Sequence, residues 1–136
     1  MKVIDFHLHV GTKTNWTPWV MEFFHQNNPF YSKNFSEHIT PEGVVSVLQN
    51  QGICKAVLFS EYAPKCTGIV TNEFIADFCK GHEELIPFGS ICLYDGAPYT
   101  EQAEYALSNL GVRGFKMLPT YQHFYPQDKI LFPFYE

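Results

Sequence analysis

The sequence is short of positive charge. Nine Lys and Arg stand against 14 Asp and Glu, a formal net charge of −5 over 136 residues. A nucleic-acid surface needs a basic face to neutralise phosphates, so no nucleic-acid partner is expected. No apolar run reaches the roughly 20 residues of a membrane span. The N-terminus enters a strand-like run without a charged and then apolar leader, so a cytoplasmic location with no membrane partner is expected. The four cysteines, Cys54, Cys66, Cys79 and Cys92, lack the close spacing of a zinc knuckle or a redox pair. They read as free, buried thiols in a reducing compartment. There is no Gly-x-Gly-x-x-Gly and no nucleophile elbow. Gly11-Thr12-Lys13-Thr14 has only the outline of a phosphate loop, because its glycine is not next to the lysine.

Aromatic residues, by contrast, are plentiful, with 13 Phe and 8 Tyr. The length suits one domain with a real core, residues 1–136. The most informative stretch is Val3-Ile4-Asp5-Phe6-His7-Leu8-His9-Val10-Gly11. Its β-branched start and closing glycine predict a short strand. Side chains alternate across a strand, so His7 and His9 leave the same face, with Asp5 one step further in. Two such imidazoles can share one metal ion. They stand at the carboxyl end of a strand predicted to be buried, where α/β folds place their ligands.

Residues 12–37 form an aromatic-rich insertion, with Trp16, Trp19, Phe23, Phe24, Phe30, Tyr31 and Phe35. Thr17-Pro18 predicts a helix start, running to Gln26. The segment is either a wall over the histidines or a packing surface. Further elements follow in strict alternation. A helix from Thr40-Pro41 stops at Gly52, and Ile53–Ser60 is a nearly continuous apolar strand. Glu61–Val70 reads as loop. A helix spans Thr71–Lys80, a strand Leu85–Leu93, and a helix Thr100–Asn109 with Ala103, Ala106, Leu107 and Leu110 inward. A fourth strand is Val112–Leu118, then a loop, then the opening of a helix at Lys129–Glu136. The fold class is therefore α/β, with parallel (β/α) units joined by right-handed crossovers. A closed eight-stranded barrel needs about 250 residues. The chain holds about four of the eight units of such a TIM barrel, a half-barrel.

Lys116 shares a face of the fourth strand with Val112, Gly114 and Leu118. An ammonium there is costly unless paired. It pairs with Asp5 or a substrate carboxylate, becomes a carbamate and so a metal ligand, or reaches water along its stem. Tyr121 and His123 follow on the rim and are candidate substrate-binding residues. His25, His38 and His82 have no evident partner and read as structural or exposed. No catalytic acid or base is identified.

Three stretches together resemble a known family. Ile4 to Gly11 resembles the first-strand signature of the amidohydrolase superfamily of metal-dependent hydrolases. Gly111 to Tyr125 is similar to the fourth-strand region of its amidohydrolase-related branch. So is Asn72-Glu73-Phe74-Ile75 leading to Glu84-Leu85-Ile86-Pro87-Phe88. The resemblance implies a (β/α)₈ barrel with zinc or a similar divalent ion, whose bound water attacks an amide, ester or lactone carbonyl of a small-molecule substrate. Some members of the branch are instead decarboxylases of aromatic or unsaturated acids. His7 and His9 would be the first two ligands, and Lys116 would stand at or beside the bridging-lysine position. The family's later histidines and its aspartate come from strands five to eight, which these residues do not contain. The expectation is thus an enzyme with an incomplete constellation, seen as its N-terminal half. Self-association or a partner half would complete the barrel. The non-catalytic alternative is a half-barrel module for metal binding or interaction.

Overall fold

In a computed structural model, residues 2–34 and 39–136 are described; Phe35 of the aromatic cluster and His38 lie outside them. The elements run β1 (Val3–Leu8), α1 (Pro18–Asn27), α2 (Pro29–Asn34), α3 (Pro41–Asn50), β2 (Ile53–Phe59), β3 (Glu61–Ala63), β4 (Gly68–Val70), α4 (Asn72–Cys79), β5 (Leu85–Phe88), α5 (Tyr99–Asn109) and α6 (Pro119–Gln122). A 3₁₀ turn (Lys129–Leu131) and α7 (Phe132–Tyr135) follow. The main sheet is parallel in the order β1-β2-β5. The alternation of apolar strand and capped helix predicts this arrangement, and it is what forms.

The starts and stops have local causes. Thr40 accepts a hydrogen bond from the Gly43 N–H, and Thr71 accepts one from the Phe74 N–H, so α3 and α4 are side-chain capped. Gly52 and Gly81 follow these helices with φ of +72° and +82°, the left-handed turn that glycine adopts without strain. Ala56 and Leu58 of β2 are fully buried against Val44 and Leu48 of α3 and Ile75 and Phe78 of α4. Leu8 of β1 and Val10 just beyond the strand extend that core.

Several expectations are corrected. The strand carrying the histidines is not buried: Ile4 and Phe6 are 54% and 63% exposed, because β1 is the terminal strand of the sheet and has a neighbour on one edge only. Leu107 faces outward, leaving Ala106 as the buried residue of α5. The insertion folds a second helix, α2. Residues 61–70 are a hairpin, with Glu61 opposite Val70 and Ala63 opposite Gly68. Pro64 and Gly68 frame its turn instead of breaking structure.

The third strand ends at Phe88 instead of Leu93. Beyond it the backbone is satisfied by side-chain amides instead of a ladder. Asn72 accepts from the Ser90 N–H and donates to the Ser90 carbonyl. Gln122 donates to the Ile91 carbonyl, and Gln102 binds both polar groups of Cys92. The fourth strand is likewise reduced to a parallel bridge between Gly89 and Phe115. It still follows β5, since Arg113 N–H donates to Pro87 and Lys116 N–H to Gly89.

The hairpin is pinned to the insertion. Thr17 does not cap α1 with its side chain; its hydroxyl donates to the Cys66 and Thr67 carbonyls. Gly68 has a φ of +140°, and a Cβ there would lie 2.1 Å from the Asn15 carbonyl oxygen. Gly68→Ala is therefore expected to destabilise the chain more than Gly52→Ala, whose site is open and whose cost is about 1–2 kcal/mol for the left-handed backbone alone. Denaturant unfolding of both variants checks this, and equal losses would count against the close approach.

Candidate functional site

β1 does not run as a regular ladder. Asp5 pairs with Ala56 and Leu8 with Leu58, with an irregularity between them. The Asp5 carboxylate accepts a hydrogen bond from the backbone N–H of His7 at 2.9 Å, so it is spent locally. His7 and His9 nonetheless converge, with their Nε2 atoms 3.2 Å apart. The Phe59 ring backs both, at centroid distances of 5.4 and 5.7 Å.

Lys116 arrives from the far side of the sheet. Its Nζ is 2.5 Å from His7 Nε2 and 3.0 Å from His9 Nε2, and 4.6 Å above the Phe59 ring. Asp5 is thus not its partner. As an ammonium, Lys116 has donors only. The two imidazole nitrogens facing it therefore offer lone pairs. Burial pulls the Lys116 pKa below its usual value, partly offset by the Glu61 charge.

Glu61 completes the cluster, and sequence reasoning missed it. It is 4% exposed, accepts a hydrogen bond from the Thr67 hydroxyl across the hairpin, and lies 3.3 Å from His9 Nδ1. The contact is close enough for an ion pair, yet Nδ1 is a buried atom without a well-formed hydrogen bond. The signal that could have found Glu61 is its place just past the end of a buried parallel strand.

These groups floor a cleft of about 560 Å³, within the roughly 300–1,000 Å³ of small-molecule sites. Trp16, Val20 and Phe24 form one wall and Met117, Leu118 and Tyr121 another. The insertion is thus a pocket wall. The Trp16 indole donates to the Tyr31 hydroxyl at 3.0 Å, and that hydroxyl donates to the Gly11 carbonyl at 2.5 Å. Tyr121 lines the cleft. The structure does not bring His123 there. It caps α6 in the left-handed conformation, φ 56°, and lines a separate cleft with Phe124 and Tyr125. His25 pairs with Ser32 and His82 with Glu42. The cysteines are free thiols, as expected, although only Cys79 is buried.

No family model and no curated protein matches the chain. Solved structures do. An uncharacterized TIM-barrel protein from Bordetella bronchiseptica superposes with a TM-score of 0.71 at 22% sequence identity, over 99% of this chain and 50% of its own. The chain has the fold of half a TIM barrel. A 2,6-dihydroxybenzoate decarboxylase, solved with 2,6-dihydroxybenzoate, superposes with a TM-score of 0.54 at 15% identity, over 85% of this half-barrel and 39% of the enzyme. The half-barrel thus spans about half the length of the first neighbour and less of the second. At these identities the likeness concerns the fold alone. In that frame His7, His9, Glu61 and Lys116 all lie at the carboxyl ends of the strands, the face on which barrel enzymes carry their chemistry.

Whether the residues fit a metal can be tested on their geometry. Ligand nitrogens on a tetrahedral zinc at 2.0–2.1 Å stand about 3.3 Å apart, close to the His7–His9 separation of 3.2 Å. The Lys116 Nζ already faces both nitrogens. Among the described residues, however, no group of three or more His, Cys, Asp or Glu is arranged to hold a metal. The fit is that of two ligands of a larger set.

The His7 imidazole has its pKa pulled below the ordinary 6.5, chiefly by burial, then by the charges of Lys116 and His9, with Asp5 opposing. The folded chain therefore keeps this ring neutral at pH values where the unfolded chain protonates it. Its contribution to stability is complete above 6.5 and declines as pH falls through 6.5 toward the lower folded value. An NMR titration should place the His7 midpoint below 6.5, and Lys116→Met should move it part of the way back. A midpoint at or above the ordinary value would contradict the assignment.

Proposed function

We propose that this half-barrel carries the metal-binding face of a metal-dependent hydrolase of the amidohydrolase kind, acting on an amide, ester or lactone of a small molecule. The observation that carries the proposal is the convergence of His7 Nε2 and His9 Nε2 at the carboxyl end of a parallel sheet. His7 and His9 would hold zinc or a similar divalent ion. Bound there, the ion lowers the pKa of water and polarises a carbonyl. Lys116 would join as a third ligand once its amine has taken up CO₂ as a carbamate, and its lowered pKa favours the neutral amine that this reaction requires. As an ammonium it would hold a substrate carboxylate instead. Trp16, Phe24 and Tyr121 would exclude water and seat an apolar or aromatic body. Glu61 is engaged by Thr67 and His9, so a proton acceptor for the reaction is expected from the barrel's other half, on the same chain, a second copy or a separate partner.

A second reading, decarboxylation of an aromatic acid, is favoured by the aromatic wall and by the neighbour solved with 2,6-dihydroxybenzoate. The two differ in product. Zn²⁺-loaded protein would be offered aryl esters, lactones and hydroxybenzoates, following acid release for hydrolysis and CO₂ for decarboxylation.

The metal site itself is tested first. Metal analysis after loading with Zn²⁺ should show the ion retained by the unsubstituted chain and lost from both His7→Ala and His9→Ala. Binding should weaken at acid pH as the imidazoles protonate. Unchanged stoichiometry in both variants would end the reading of His7 and His9 as metal ligands.

A further inference from the structure

We infer that Glu61 is a positioning residue for His9, fixing the ring's proton on Nδ1 so that Nε2 presents its lone pair to the shared cation. The inference rests on the metal reading of His7 and His9 given above. Three observations carry it.

The first is the direction of the Lys116 contact. With Lys116 charged, its ammonium 3.0 Å from His9 Nε2 can only donate, and that nitrogen is then bare. In a neutral ring the proton is then on Nδ1. The second is the surroundings of Nδ1. The atom is buried, lacks a well-formed hydrogen bond, and has a Glu61 carboxylate oxygen 3.3 Å away. The separation is already within hydrogen-bond range, so a turn of the ring or carboxylate that aims the N–H at the oxygen would make this contact a charge-assisted hydrogen bond.

The third is that Glu61 is itself buried, and a buried carboxylate is costly unless both oxygens find donors. The Thr67 hydroxyl serves Oε1, which leaves Oε2 for His9. The carboxylate is also held firmly. Its hairpin is bonded to the insertion, with Thr17 N–H donating to the Thr67 carbonyl at 2.9 Å and Ile69 N–H to the Asn15 carbonyl at 2.8 Å. The insertion, the hairpin and the His9 ring are therefore one mechanical chain. The insertion both walls the cleft and sets the orientation of a ligand.

Two measurements on the 136-residue chain test this. Nitrogen NMR of the metal-free protein reads the His9 tautomer directly, and Nδ1–H is expected. Titration with Zn²⁺ alone reads affinity. Loss of an outer-shell partner costs about 10–100-fold in metal affinity, and Glu61→Ala should lose that much while its His9 ring moves toward the Nε2–H form. Glu61→Gln keeps a carbonyl acceptor and should keep the tautomer with a smaller loss. A purely structural role for Glu61 would lower the melting temperature without moving the tautomer. The inference is overturned if the unsubstituted chain carries the His9 proton on Nε2, a result that does not depend on any variant folding. It is also overturned if folded Glu61→Ala retains full Zn²⁺ affinity and the same tautomer. Failure of the unsubstituted chain to take up Zn²⁺ would instead end the metal reading, with the tautomer still deciding what Glu61 does to His9.

Discussion

Everything at the candidate site depends on two imidazole lone pairs being held toward the same point. Imidazoles left to themselves would turn their nitrogens to water. Here the Lys116 Nζ stands against both, the Phe59 ring backs them, and, among the described residues, the strand that carries them is hydrogen-bonded along one edge only. The arrangement survives on an exposed strand because its supports come from elsewhere: Phe59 from β2, Glu61 from the hairpin, and Lys116 from the segment beside β5.

That division explains what could be read in advance. The His7–His9 pairing follows from the two-residue period of a strand and needs no knowledge of the rest of the chain. The alternation of capped helices and apolar strands follows from threonine-proline starts and glycine stops, and these behave as local chemistry requires. Asp5 was legible only as far as the period held. A register irregularity after it turns its carboxylate to the His7 backbone instead of the cleft. The supports were not legible. Strands of three residues carry no detectable period, so the β3–β4 hairpin reads as loop and Glu61 does not stand out within it. Asn72, Gln102 and Gln122 replace a strand ladder with side-chain amides, and nothing local distinguishes such an amide from one in solvent.

The insertion shows the same contrast. Its aromatic content was plain, but whether those rings would cover the histidines or only pack against one another depended on where the segment docks. The docking is decided by backbone bonds to the hairpin and by the absence of a side chain at Gly68, both long-range features. Once docked, Trp16 is held in the wall by the Tyr31 hydroxyl, which in turn grips Gly11, two residues past His9. The wall and the histidine strand are thereby tied at one point.

Lys116 sets the remaining constraint on function. Two lone pairs cannot serve two cations, so an ammonium in this place competes with a divalent ion for the same nitrogens. The competition ends if the amine loses its charge, and burial beside two imidazoles pushes it in that direction. It ends more fully if the amine becomes an anionic carbamate, which turns a rival into a ligand. A lysine reaching water along its stem would do neither, and its Nζ would not lie against both rings. The chemical state of this one side chain therefore decides whether the cleft offers two donors to a metal or three, and so whether the half-barrel approaches the three protein ligands that a catalytic zinc ordinarily has.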